Sequence, residues 1–126
     1  LLARPAERFR PTAVYDRDGD CIEFLAKPDP FLAERVDDLV TVYYSQETGD
    51  VIGSLIKGVS TFREDLLGRM PGFKIVIEGG RVRLEHIFLA RLWAQPSELS
   101  ELATLTYKKL IAVAQEANVE ADLCLA

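Results

Sequence analysis

The residues T-A-V-Y-D-R-D-G-D-C-I-E-F-L-A at 12–26 and L-V-T-V-Y-Y-S-Q-E-T-G-D-V-I-G-S-L-I at 39–56 decide the predicted fold. Each stretch contains two runs rich in β-branched and aromatic residues, and the runs are separated by a polar turn that contains glycine. This pattern predicts two successive β-hairpins. The four predicted strands cover residues 12–16, 20–27, 39–45 and 51–57.

The segments around these hairpins are less regular. Residues 1–11 contain two prolines and three arginines, which predicts an extended arm rather than a strand or a long helix. Residues 31–38 fit either one helical turn or an irregular strand. Thr61 and Glu64 have the spacing of a capping box, and this spacing predicts a short helix over residues 62–69.

A third hairpin is predicted around Gly79-Gly80, because two glycines can supply the positive φ angles of a type I′ turn. Its strands would be F-K-I-V-I-E at 73–78 and R-V-R-L-E-H at 81–86. In the register set by this turn, opposite charges share one face and apolar residues share the other, with Phe73 opposite His86. Residues 87–94 are interpreted as a connecting strand.

A long amphipathic helix is predicted near the C-terminus. Ser97 is the expected N-cap, and Glu98 and Glu101 suit the positive end of the helix dipole. Asn118 is the expected left-handed terminator. Leu105 is the one large apolar residue that falls outside the apolar face. That face comprises Leu99, Leu102, Ala103, Thr106, Leu110, Val113, Ala114 and Ala117, with Tyr107 and Ile111 at its edge.

These elements predict an α+β fold in a single domain, residues 1–126. An antiparallel β-meander of hairpins over residues 12–62 forms the core, after the arm at 1–11. Residues 63–126 add the short helix, the third hairpin and the long C-terminal helix, which is expected to pack on one face of the sheet.

Composition narrows the class of function. The net charge is −5 and the sequence pI is 4.9, which argues against nucleic-acid binding, since such domains usually carry a basic face. No apolar run approaches the roughly 20 residues of a membrane helix. Cys21 and Cys124 form neither a disulfide framework nor a zinc pattern, and they favour a reduced, cytoplasmic setting. No cofactor-binding motif is present.

Two groups of residues are candidates for chemistry. Asp16, Asp18 and Asp20 alternate around a turn and could offer oxygen ligands to Ca²⁺, although the EF-hand pattern fails at Cys21 and Lys27. These residue types are also ordinary turn formers. His86 is the single histidine, and a packing role on the predicted hairpin competes with a role as a general base.

Residues 14–20, V-Y-D-R-D-G-D, and residues 36–53 resemble the small prokaryotic family called domain of unknown function 2283. Tyr15, Asp16 and Asp20 match its first turn, and Gly49 and Gly53 match its second hairpin. The chain departs from the family at Cys21-Ile22 and at Leu55. The resemblance covers residues 12–60, and it implies a β-meander core without an assigned activity.

The expected function is protein–protein contact, either with an unidentified protein partner or through a homodimer. The predicted strand at 39–45 has no charge and no proline, so it would make a poorly guarded sheet edge. Phe88, Leu92, Trp93 and Leu105 are the interface candidates, because they exceed the apolar surface that one strand and one helix need. The alternative is a ligand-binding or hydrolytic domain with its site near His86.

Overall fold

A computed structural model describes residues 9–69, 81–94 and 99–123. The predicted hairpin turn at Gly79-Gly80, the predicted N-cap Ser97 and Cys124 lie outside these residues. In chain order, the described elements are β1 (Thr12–Asp16), β2 (Cys21–Leu25), β3 (Phe31–Arg35), β4 (Val40–Ser45), β5 (Val51–Lys57), α1 (Val59–Arg69), β6 (Arg81–Arg83), α2 (Leu84–Ala94), α3 (Glu101–Ala117) and β7 (Glu120–Asp122).

Five strands form one antiparallel sheet in the order β1-β2-β5-β4-β3. The first two strands make a hairpin, and the next three make a meander whose last strand returns to pair with β2. In that central pairing Ile22 lies opposite Ile56. The structure therefore confirms the α+β class, with the helices on one face of a sheet of antiparallel hairpins.

The position of β4 corrects the expected sheet edge. The strand predicted at 39–45 is flanked by β5 on one side and by β3 on the other, so it is not an edge. Residues 31–38, which were ambiguous in the sequence, supply the edge strand β3 instead. That strand ends in Glu34 and Arg35, and charges of this kind discourage edge-to-edge pairing. The edge argument for self-association is therefore wrong.

Gly53 in β5 lets one side chain cross the sheet. A Cβ atom at this position would overlap the carbonyl oxygen of Phe24 and lie 3.2 Å from Cδ2 of Tyr43. The Tyr43 ring therefore lies over the bare glycine, and its hydroxyl donates a hydrogen bond of 3.1 Å to Glu23 on β2. Phe31 stacks on the same ring at 4.1 Å between centroids. One aromatic side chain thus connects β3, β4, β5 and β2.

Helix α1 begins three residues before its predicted start, at Val59 rather than Phe62. The Asp20 carboxylate accepts hydrogen bonds from the backbone N–H and the hydroxyl of Ser60. The Asp20 carbonyl accepts the N–H of Val59 at 3.1 Å. These bonds satisfy the N–H groups of the first two helical residues, which a local N-cap would otherwise do in part. The cap therefore comes from the β1–β2 turn and not from Thr61.

The segment predicted as the second half of the third hairpin is divided between two elements. Arg81–Arg83 is a strand, but it pairs with Glu120–Asp122 of the C-terminal segment. Leu84–Ala94 is a helix, so the strand predicted through His86 and the connecting strand at 87–94 are both wrong. Leucine, alanine, glutamate and arginine are good helix formers, and they outnumber the β-branched residues here.

Helix α3 is capped by Ser100, whose side chain accepts the N–H of Ala103. At the other end Asn118 takes the left-handed conformation, with φ 56°, and confirms the predicted terminator. The buried face differs in part from the prediction. Tyr107 is fully buried rather than at the edge, whereas Leu102 is 70% exposed. The buried residues of the helix are Ala103, Thr106, Tyr107, Leu110 and Ala114.

The core lies between the sheet and the three helices. Helix α3 packs along α2 and against β5, and β7 lies beside β1. Phe88 and Tyr107 meet edge to face, with 6.2 Å between centroids. Large side chains that are fully buried in this layer are Ile22, Phe24, Ile56, Leu84, Phe88, Tyr107 and Leu110.

Candidate functional site

A half-buried carboxylate, Asp37, joins the β3–β4 connection to helices α2 and α3. The Tyr107 hydroxyl of α3 donates a hydrogen bond of 2.7 Å to its Oδ2, and Arg91 of α2 lies 3.5 Å from the same oxygen. Its Oδ1 accepts the backbone N–H groups of Leu39 and Val40. Both carboxylate oxygens therefore have donors, and the bonds to Tyr107 and Arg91 connect α3 and α2 to the β3–β4 connection.

Burial raises the pKa of Tyr107, and its hydrogen bond to Asp37 raises it further. A tyrosine held neutral in this way does not offer a phenolate to a substrate at neutral pH. Burial and the nearby Glu23 carboxylate raise the pKa of Tyr43 in the same direction. Both tyrosines therefore serve as hydrogen-bond donors that position other elements.

The aspartate side chains of the turn between β1 and β2 accept hydrogen bonds that stabilise the fold. Asp16 accepts the backbone N–H of Asp18 at 3.0 Å, as in an ordinary Asx turn. Asp20 accepts the Tyr15 hydroxyl at 2.7 Å in addition to its bonds from Ser60. Burial raises the pKa of Asp20, but these hydrogen bonds outweigh it and hold the pKa below its ordinary value. Across the described residues, no three His, Cys, Asp or Glu side chains are grouped to hold a metal ion.

His86 lies in the first turn of α2 and is half-buried. Its Nδ1 is buried and has no hydrogen-bond partner in the described part of the chain. The neighbouring Glu85 is 4% exposed, and its Oε2 accepts the Arg83 Nε at 2.9 Å. The other carboxylate oxygen of Glu85 is buried and likewise unpartnered. His86 lines neither the cleft at Lys27 and Lys109 nor the cavity at Phe62 and Val82.

An open cleft with a volume of about 560 Å³ lies between α3 and the end of the sheet. Its polar rim carries both signs of charge, from Lys27 and Asp50 on the sheet side and Lys109 and Glu116 on the helix. All four side chains are exposed. A cleft of this size can accommodate a small molecule, but the described residues place no buried nucleophile or general base in it.

A second surface carries large apolar side chains in contact with solvent. Trp93 is 67% exposed, Leu102 70% and Leu105 56%. Trp93 lies in the last turn of α2, and the two leucines lie in the first two turns of α3. Because α2 and α3 pack together and are connected there, the three residues occupy the same end of the helix pair. We call these three residues the helical surface.

The four interface candidates divide between this surface and the core. Trp93 and Leu105 belong to the helical surface. Phe88 is 0% exposed, so its side chain belongs to the core and offers no contact area. Leu92 is half-buried and packs against the core. The exposure of Leu102 was not predicted from the sequence, because Leu102 was assigned to the buried face of the helix. At 100° per residue, Leu102 lies about 100° from Ala103 and about 80° from Leu110, at the margin of the buried face, so the helical periodicity alone does not decide its exposure.

No protein-family model, curated protein or solved structure matches this chain. In the part of the chain that the structure describes, no helix is long and apolar enough to cross a membrane. The geometry of the surfaces is therefore the basis for any functional proposal.

Proposed function

We propose that this protein is a cytoplasmic interaction domain that acts through protein–protein contact and forms a homodimer. The kinship of residues 12–60 with the domain of unknown function 2283 family is part of the proposal and adds no activity to it. The observation that carries the proposal is the helical surface of Trp93, Leu102 and Leu105.

Exposed apolar side chains are common when they occur singly, but three large ones at the same end of a helix pair are not. Burial of such surface contributes roughly 25 cal/mol per Å², so a complex in which a partner covers it is stabilised. Tryptophan is also among the residues that contribute most to binding where it becomes fully buried in an interface. A symmetric dimer is the commonest arrangement that buries a patch of this kind.

Light scattering behind a sizing column tests the proposal. The wild-type chain should elute with the mass of two chains at about 100 μM and approach one chain on dilution. Leu105→Glu places a charge at the centre of the helical surface and should give the mass of one chain throughout. Leu32→Glu is the matched control, because Leu32 is 63% exposed on the edge strand β3, away from this surface. A wild-type mass of one chain at 100 μM contradicts the proposal.

The cleft between α3 and the sheet supports a second candidate, the binding of a small zwitterionic molecule. Lys27, Asp50, Lys109 and Glu116 line it, and none of their side chains has a hydrogen-bond or ion-pair partner among the described residues. The same experiment separates the two candidates. Ligand binding in the cleft requires no second copy of the chain, so it predicts a monomer that Leu105→Glu leaves unchanged.

A further inference from the structure

We propose that α3 of one chain packs antiparallel against α3 of a second copy, with the two-fold axis at Leu105. This inference rests on the homodimer proposed above and specifies which residues meet in it. It is drawn from the pattern of charge and apolar side chains along the solvent-facing side of α3.

The solvent-facing side of α3 is a continuous stripe. At 3.6 residues per turn, its members lie within about 60° of Leu105 around the helix. All of them are exposed. The stripe begins with acidic and apolar residues, continues with two lysines and ends with an alanine and a glutamate. Its members are Glu101, Leu102, Leu105, Lys108, Lys109, Ala112 and Glu116.

A two-fold axis through Leu105 determines which residues face each other. It reverses position along the helix while keeping the same flank of the stripe. Glu101 lies about 6 Å from Leu105 toward the N-terminus, and Lys108 lies about 4.5 Å toward the C-terminus on the same flank. Glu101 therefore meets the partner's Lys108. The symmetry produces this ion pair twice.

On the other flank of the stripe, a leucine of one chain faces a lysine of the second copy. Leu102 and Lys109 both lie there, again on opposite sides of Leu105 along the helix. Leu102 therefore meets the partner's Lys109, whose aliphatic stem can cover the leucine while its ammonium group stays in water. Leu105 contacts its own symmetry mate at the centre. The apolar residues thus form the middle of the contact and the charges form its rim, as in other specific interfaces.

This arrangement favours a second copy over an unrelated partner. Within residues 101–109 the stripe is complementary to itself, because Glu101 and the two lysines lie on opposite sides of Leu105. Glu101 and Lys108 have no ion-pair partner among the described residues, so each is available to pair between chains. The overlap covers residues 101–109, which is a short contact even with Trp93 beside it. We therefore expect a reversible dimer with a Kd in roughly the micromolar range.

Charge reversal tests the register. Glu101→Lys places two lysines opposite each other, and Lys108→Glu places two glutamates opposite each other. Each single variant should raise the dimer Kd roughly tenfold or more in sedimentation equilibrium at low salt. An equimolar mixture of the two variants should form a heterodimer, because every Lys at 101 then faces a Glu at 108 and every Lys at 108 faces a Glu at 101. The chain that carries both changes should dimerise like the wild type.

Glu116→Lys is the control. It reverses the same kind of charge on the same helix, but it lies outside the overlap of residues 101–109 and should leave the Kd unchanged. A wild-type chain that stays monomeric overturns the homodimer and this register together. A wild-type dimer that both single variants retain, or single variants that fail to form the heterodimer, overturns the register and leaves the homodimer standing.

Discussion

The central strands of the sheet and the end of the helix pair differ in how far the rest of the chain covers their large side chains. In the sheet, Tyr43 crosses a glycine to reach Glu23, and Asp20 receives three donors from two elements. At the end of the helix pair, Trp93, Leu102 and Leu105 face solvent. Of the two regions, the sheet contributes stability within the chain, and the helix pair carries the surface that a partner would cover.

The strongest test of the sheet is Gly53→Ala. A methyl group there would collide with the backbone carbonyl of Phe24 and press on the Tyr43 ring, which must then leave its position over β5. We expect the free energy of unfolding, measured in urea, to fall by about 3 kcal/mol, at the upper end for overpacking.

The matched control is Gly49→Ala in the β4–β5 turn. Gly49 has φ of +78°, and nothing lies within 4 Å of a Cβ atom added there. The loss should then be about 1 kcal/mol, from backbone strain alone. If Gly53→Ala costs no more than Gly49→Ala, the tyrosine does not cross the sheet as described.

The contact between the two regions is tested by Tyr107→Phe. The change removes the hydroxyl that donates to Asp37 and leaves the ring in the core. Hydrogen bonds to charged groups contribute about 2 kcal/mol, so the free energy of unfolding should fall by that amount at pH 7. Tyr44→Phe is the control, since the Tyr44 hydroxyl has no hydrogen bond among the described residues. Equal losses in the two variants would contradict a specific bond to Asp37.

Tyr107 also makes the free energy of unfolding depend on pH in the alkaline range. Its pKa is raised in the folded chain, so above its ordinary value of 10.0 the unfolded chain loses the proton first. Ionisation therefore stabilises the unfolded state, and the wild-type free energy of unfolding should decline as the pH rises above 10. In Tyr107→Phe that decline should be shallower.

The smallest expected effect concerns Asp20→Asn, which weakens the connection between the first hairpin and α1. Asparagine is compatible with the φ of 50° at position 20. Its amide, however, lacks the negative charge that accepts hydrogen bonds from three donors in the wild type. The cost at pH 7 should be about 1 kcal/mol, whereas the exposed Asp18→Asn should cost nothing measurable. Because the pKa of Asp20 is lowered in the folded chain, its contribution is lost as pH falls below 3.8. Wild type and Asp20→Asn should therefore converge in acid.

Sequence patterns predicted the sheet well because its signals are local. The alternation of β-branched and aromatic residues and the turns at Gly19 and Gly49 define β1, β2, β4 and β5 within two residues at each end. The strand order was not predictable in this way. Pairing between β2 and β5 joins residues more than 25 positions apart, and nothing in either strand alone specifies that neighbour.

The helical half shows where local signals mislead. R-V-R-L-E-H after Gly79-Gly80 has a hairpin pattern, yet its first three residues pair with β7 and its last three begin a helix. A short apolar run suits a buried helix as well as a strand, so the tertiary partner decides. The helix cap at Asp20 was equally hidden, because the capping residue lies 40 positions before Ser60. The candidate surface was predicted in part, through Trp93 and Leu105.

The pairing of β2 with β5 has a consequence for how the chain reaches this structure. The hairpin of β1 and β2 and the meander of β3, β4 and β5 are each made from neighbouring residues, so each closes only short loops. Joining them pairs residues that are far apart in sequence, and the relative freedom of the two units must be lost before the Ile22–Ile56 contact offsets it. Docking of the two preformed units along β2 and β5 is thus the step expected to limit the rate of folding.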